Sequence, residues 1–253
     1  MTTAAHPLCG VRAAIIDLDG TMLDTVPDFH VAINRMRDEL GLPHITAEQI
    51  KNMVGKGSEN LIRSVLALDH DDAGIERHFT DAMDAYQRHY LAINGHHSTL
   101  YPDVAAGLAE LKGAGLRLAC VTNKPLAFAL PLLKLKELDG YFDVIYGGDS
   151  FPKKKPDPLP LLKACEFFGL PPAQVVAIGD SSNDAEAARA AGCPVLTVPY
   201  GYNHGESIHE TDSDGIVDTL LHAAQLIGLH NESAVEFESE FTAGDSTQPQ
   251  QAH

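Results

Sequence analysis

The sequence predicts an α/β protein built on a doubly wound parallel sheet, with a block of helices inserted after the first strand. Three observations carry that prediction. The stretch Ala13-Ala14-Ile15-Ile16-Asp17-Leu18-Asp19-Gly20-Thr21 is an unbroken apolar run that stops at two carboxylates, the pattern of a strand buried on both faces. From Tyr101 onward, apolar strand-like runs alternate with helical ones, as in strands joined by crossover helices. Between these regions, from Thr25 to about Thr99, no strand pattern interrupts a series of helices.

Within the helical block, Pro27 suits a first turn, and Val31, Ile33, Met36 and Leu40 follow at roughly helical spacing to a stop at Gly41. Thr46-Ala47-Glu48-Gln49 has the form of a capping box opening a short helix through Met53. Asn60 to Leu68 and Asp72 to Ile93 read as two further helices, and the Met and aromatic residues at helical spacing read as their core. In the alternating region, helices are expected over Asp103–Lys112, Leu126–Leu138, Pro158–Phe168, Ala185–Ala191 and Ile216–Ile227. Strands are expected over Arg117–Val121, Phe142–Tyr146, Val175–Ile178 and Val195–Val198. The tail over 229–253, polar and acidic without apolar period from about Asn231, has a composition that favours disorder.

Composition narrows the partners. A formal net charge of −17 argues against nucleic acid or an anionic membrane surface, and no apolar run approaches the ~20 residues of a membrane span. No secretory signal is visible at the N-terminus, and Cys9, Cys120, Cys165 and Cys193 are scattered without metal spacing. Buried free thiols in the cytoplasm are therefore expected. A monomer or a homodimer is expected. With only 18 Lys plus Arg in the chain, the cluster Lys153-Lys154-Lys155 is informative; a solvated basic run is its competing reading.

The chemistry is expected where the strands end. One ends at Asp17 and Asp19, another at Thr122 and Asn123, a third at Asp180 and Asp184. Parallel strands deliver their carboxyl ends to one edge of the sheet. Side chains two apart on extended backbone point the same way, so Asp17 and Asp19 converge. Clustered carboxylates suit a hard divalent cation such as Mg²⁺. A hydroxyl, an amide, a lysine and a helix N-terminus suit phosphate oxygens. The combination points to phosphoryl transfer.

Taken together, these residues resemble the haloacid dehalogenase superfamily of phosphatases over residues 11 to 228. Asp17-Leu18-Asp19-Gly20-Thr21 is similar to that family's first motif, and Val121-Thr122-Asn123 to its second. Lys155-Pro156-Asp157-Pro158 is similar to the third and Gly179-Asp180-Ser181-Ser182-Asn183-Asp184 to the fourth, with Lys154 as the alternative register for the lysine. The resemblance implies a Rossmann-like core over 11–24 and 100–228 and a small helical cap over 25–99. It implies that Asp17 is the nucleophile and that Asp19 is the acid and base. Mg²⁺ would be held by Asp17, Asp180 and the backbone carbonyl of Asp19, with Asp184 behind them. Phosphate would be held by Thr122, Asn123 and Lys155. An acid at position 19 favours a phosphatase over a metal-free dehalogenase.

Substrate choice is expected to depend on the cap, where Lys56, between Gly55 and Gly57, and Arg63 are candidates for a substrate carboxylate. Length, cap type and the runs Thr99-Leu100-Tyr101-Pro102 and Tyr200-Gly201-Tyr202-Asn203 resemble bacterial phosphoglycolate phosphatases. That resemblance implies hydrolysis of 2-phosphoglycolate. The alternatives are another small phosphomonoester, pyrophosphate, or a phosphate-binding module without turnover.

Overall fold

The computed structural model describes residues 6–243, with side chains through residue 231. The chain begins with β1 (Ala13–Ile16) and β2 (Leu23–Asp24), then runs through four helices: α1 (Val26–Glu39), α2 (Ala47–Lys51), α3 (Ser58–Leu66) and α4 (Asp72–Ile93). It returns through β3 (Thr99–Leu100) and continues as α5 (Val104–Gly113), β4 (Arg117–Val121), α6 (Leu126–Leu135), β5 (Val144–Tyr146) and α7 (Leu159–Phe168). The remaining elements are β6 (Val175–Gly179), α8 (Ser182–Ala191), β7 (Val195–Thr197), β8 (Gly215–Ile216) and α9 (Leu220–Ala243).

Six strands form one sheet in the order β5-β4-β1-β6-β7-β8, with every neighbouring pair parallel. This is a doubly wound, Rossmann-like α/β sheet. In this sheet the connection after β1 leads to β4 on one side and the connection after β6 leads to β7 on the other, so the switch point lies between β1 and β6, where ligands bind in such sheets. In register, Ile16 stands opposite both Cys120 and Ile178. Asp17 and the end of β6 therefore emerge side by side. Period-two alternation divides the core. Ala14, Ile16, Leu118, Cys120, Val176 and Ile178 pack on one face with α5, α6 and α9. Ala13, Ile15, Ala119, Val121, Val175 and Ala177 pack on the other with α7 and α8. Both faces are dry, which is why β1 reads as a continuous apolar run.

The four helices of the insertion bury a core of their own. Ile33, Met36, Ile50, Ile62, Tyr86 and Tyr90 are fully enclosed, joined by Phe128 and Tyr202 from the sheet side. Burying each such side chain contributes on the order of 2 kcal/mol, so helices too short to persist alone are held by packing. The capping box at Thr46 forms as expected, with Gln49 answering it. Asp28, wholly buried in α1, accepts hydrogen bonds from Gly95 and His97 backbone N–H and from the Ser98 hydroxyl, tying the insertion's entry to its exit.

Three expectations change. The sequence showed no strand near the insertion's ends, yet β2 and β3 pair antiparallel there as a two-stranded ribbon. Two residues per strand are too few to leave a period. The fourth-motif helix starts at Ser182, not Ala185, because Ser181 and Asp184 form a capping box across what reads as a loop. The last helix starts at Leu220 and runs to Ala243, through residues 229–243 that were expected to be disordered. That segment contains neither Gly nor Pro after Gly228 and is rich in Glu and Ala, so nothing breaks propagation from the packed turns. The rest of the expected tail, 244–253, lies outside the described residues.

Candidate active site

The end of β1 places Asp17 between three charged neighbours. Lys155 Nζ lies 2.9 Å from Asp17 Oδ1 and 2.6 Å from Asp184 Oδ1, and also donates to the Val121 carbonyl at 2.7 Å. Asp17, Asp180 and Asp184 each offer a carboxylate oxygen within 4.8 Å of the others. Asp184 is fixed from both sides, since its other oxygen accepts from Ser181 N–H and hydroxyl. Asp180 is held by the Thr21 hydroxyl at 2.9 Å and by the Tyr202 backbone N–H. Gly20 makes this approach possible. Its φ of +86° belongs to the left-handed region, and a β-carbon there would fall 2.1 Å from Asp180 Oδ2.

Burial sets the electrostatics. Desolvation, offset by Lys155 and reinforced by Asp184, pushes the Asp17 carboxyl up to about 7. Burial and the charges of Asp184 and Asp17 push Asp180 well above the ordinary carboxylate range. Burial works against the Lys155 charge, but Asp17 and Asp184 outweigh it and hold the ammonium protonated beyond its usual range. Around the strand ends, four carboxylates face two lysines, Lys155 and Lys124. The set is short of two positive charges. Asp17 Oδ1 is buried, and its contact with Lys155 lies off the hydrogen-bonding direction. A divalent cation fits both deficits, and the all-oxygen donor set suits a hard ion.

The sequence profile of the haloacid dehalogenase-like hydrolases matches residues 14–198, which include Asp17, Asp19, Thr122, Lys155, Asp180 and Asp184. The chain belongs to the haloacid dehalogenase-like hydrolases. It is 49% identical over 217 residues to a phosphoglycolate phosphatase of Nitrosospira multiformis, covering 86% of this chain and 96% of that protein. It is 46% identical over 217 residues to one of Thiobacillus denitrificans, with the same coverage of 86% and 96%. Among solved structures it is similar to a predicted phosphoglycolate phosphatase from Haemophilus somnus, with a TM-score of 0.77 and 32% identity, covering 86% of this chain and 98% of that one.

Within this hydrolase site the other expected residues are placed as follows. Thr122 lines the cleft above Asp17. Of the three adjacent lysines, Lys155 is the one beside Asp17, and Lys154 Nζ instead approaches Gly57 in the insertion. Asn123 departs from expectation. Its side-chain amide donates to the carbonyls of Gly55 at 2.9 Å and Lys155 at 2.8 Å, so its N–H groups are occupied by backbone rather than free for phosphate. Asn183 reaches the same Gly55 carbonyl at 3.3 Å, and His204 packs against Gly55.

Neither expected carboxylate-binding residue faces the cleft. Arg63 is held by Glu59 at 3.2 Å and Glu76 at 2.6 Å and stacks on Phe79. The Glu59 pairing is an i,i+4 spacing within α3, already present in the sequence, whereas Glu76 on α4 meets Arg63 only once the helices pack. Lys56 sits between two glycines whose turn swings it outward, where it lines a separate cavity with His204 and Arg189. Lys56→Ala and Arg63→Ala are each expected to change kcat/KM for any phosphate ester less than about twofold, as for ordinary surface substitutions. Steady-state kinetics on the two purified variants checks this.

Sequence reasoning missed Lys124. It is almost fully buried and holds Asp19 through contacts of 2.8 and 3.1 Å, with its ammonium 4.5 Å from the Phe29 ring centre and 4.9 Å from that of Tyr90. The signal was present: a lysine directly after a strand-end Thr-Asn, in a chain poor in cations.

Proposed function

We propose that this chain is a magnesium-dependent phosphatase that hydrolyses 2-phosphoglycolate to glycolate and phosphate through an aspartyl-phosphate. The observation that carries the chemistry is the Asp17 carboxylate held against Lys155, within 4.8 Å of Asp180 and Asp184. The substrate rests on relatives named phosphoglycolate phosphatase at 49% and 46% identity. In this reading residues 25–99 act as a cap over a core formed by 11–24 and 100–228.

Asp17 Oδ attacks phosphorus, and the bond to the ester oxygen breaks as Asp19 gives that oxygen a proton. Asp19 then takes a proton from water as it attacks the same phosphorus, and the bond to Asp17 breaks, restoring the carboxylate. Lys155 and the Thr122 hydroxyl hold phosphate oxygens during both steps. Asp184 aims Lys155, and Asn123 positions the cap loop through Gly55 rather than touching phosphate. Asp17, Asp180 and the Asp19 carbonyl would hold the magnesium ion, whose charge would let a carboxylate approach a phosphate dianion. The protein acts in the cytoplasm in this reading, consistent with four cysteines that form no disulfide. A module without turnover is disfavoured because all four aspartates are present.

The test is phosphate release from 2-phosphoglycolate, pyrophosphate and other phosphorylated metabolites, with Mg²⁺ and with chelator. Release with Mg²⁺ and none with chelator is expected, with the highest kcat/KM on 2-phosphoglycolate. Mg²⁺ at a hundred times its dissociation constant should also add about 2.7 kcal/mol of stability, a rise of roughly 5–10 °C in Tm for a chain of this size. Equal activity with chelator, or an unchanged Tm, would remove the metal from the proposal.

A further inference from the structure

The cleft over Asp17 continues past Asp19 into the insertion, and its far end holds groups that the phosphate chemistry leaves unused. Lys124 is the first. It is 4% exposed, contacts the Asp19 carboxylate, and is flanked by the rings of Phe29 and Tyr90. Among the described residues lining the cleft, it alone carries a positive charge. The second is Tyr86, which lines the same cleft and is fully buried. The Ser58 side chain lies beside its hydroxyl, yet that hydroxyl has no partner in hydrogen-bonding geometry. Buried hydroxyls are nearly always partnered, so this one marks a place where a polar ligand group completes the bonding. The third is the start of α3, where Gly57 and Ser58 line the cleft and no side chain caps the first turn. Free N–H groups at a helix N-terminus favour an anion.

The geometry points to a leaving-group carboxylate subsite in which Lys124 Nζ, the Tyr86 hydroxyl and the first turn of α3 receive the acid of the substrate, with Lys124 as the residue that selects it. This rests on the reaction proposed above. Asp19 must meet the ester oxygen, and in 2-phosphoglycolate the carboxylate carbon is two bonds from that oxygen. A group already bonded to Asp19 is therefore within reach of the acid. Aromatic walls exclude water and strengthen the pairing of ammonium with carboxylate. A neutral leaving group would leave the Tyr86 hydroxyl and the α3 turn unsatisfied, which is how such a site discriminates.

The test compares 2-phosphoglycolate with 2-hydroxyethyl phosphate, which replaces the carboxylate by a neutral alcohol, on the wild type, Lys124→Met and Tyr86→Phe. The wild type should prefer 2-phosphoglycolate strongly. Lys124→Met should shrink the ratio of the two kcat/KM values by roughly 100-fold, as for loss of one partner of a buried charge pair. Tyr86→Phe should shrink it about tenfold, mainly through KM, as for one hydrogen bond to a charged group. Turnover of 2-hydroxyethyl phosphate certifies that each variant is folded, and where Lys124→Met is inactive on both esters, Tyr86→Phe decides. If a variant that still turns over 2-hydroxyethyl phosphate slows both esters by the same factor, Lys124 and Tyr86 act through Asp19 or through packing, and the subsite is overturned. If the wild type itself shows no preference, the proposed substrate fails and the subsite falls with it.

Discussion

Asp17→Asn is expected to lower phosphate release by at least about four orders of magnitude, the scale of losing a nucleophile, while the fold is retained. The substitution keeps the volume and removes only the charge. The same variant separates function from stability. Asp17 titrates near 7 in the folded protein against 3.8 ordinarily, chiefly because burial disfavours its charge. A carboxyl with a raised folded value stabilises fully below its unfolded value and loses that contribution as pH rises through the folded one. Metal-free wild type therefore carries a cost at pH 8 that the asparagine variant lacks. The variant should melt higher at pH 8, and the two should converge as pH falls toward 4. Thermal melts in chelator at several pH values check this. A lower-melting variant at pH 8 would mean that Lys155 gains more from Asp17 than burial takes.

Lys155→Met is the second large effect. The ammonium is 96% removed from solvent and compensates both Asp17 and Asp184. Taking away one member of a buried charge cluster costs about 3–5 kcal/mol, because the partners stay buried without compensation. At roughly 2–4 °C per kcal/mol for a chain of this size, Tm should fall by about 10 °C or more in chelator. Saturating Mg²⁺ should recover part of that loss, since a cation offsets the same carboxylates. Activity should remain lost, because no other lysine reaches Asp17 among the described residues. A variant that melts like the wild type would show that the two aspartates take up protons instead.

The sheet was legible because its physics is local. A strand covered on both faces must be apolar at every position, and Ala13–Ile16 and Arg117–Val121 match their expected spans. The long helix Asp72–Ile93 was equally plain, since Asp71 caps it, its one glycine lies in the first turn and no proline interrupts it before its end. The acids at strand ends followed from topology. What escaped was whatever depends on packing between elements. Arg63 read as an available cation until Glu76, on a different helix, was seen to occupy it; its other partner, Glu59, was legible four residues earlier. Asn123 sits at the expected strand end, but its amide turns toward the carbonyl of Gly55, 68 residues away in the chain. Lys124 needed Phe29 and Tyr90 to define its burial, and neither ring is near it in sequence. The shift of Asp184 from loop to helix was a misreading of turn chemistry, for Ser181 to Asp184 carries its own capping signal.

The paired strands β2 and β3 have an evolutionary corollary. Leu23 stands opposite Leu100 and Asp24 opposite Thr99, so the excursion departs and rejoins at adjacent points. The sheet's registers do not depend on how much polypeptide lies in between, since closing a longer detour adds little entropy once its ends are clamped. Any helical bundle whose termini meet at that clasp can be grafted there, so the sheet and the acids at its edge can stay constant while the inserted helices are exchanged.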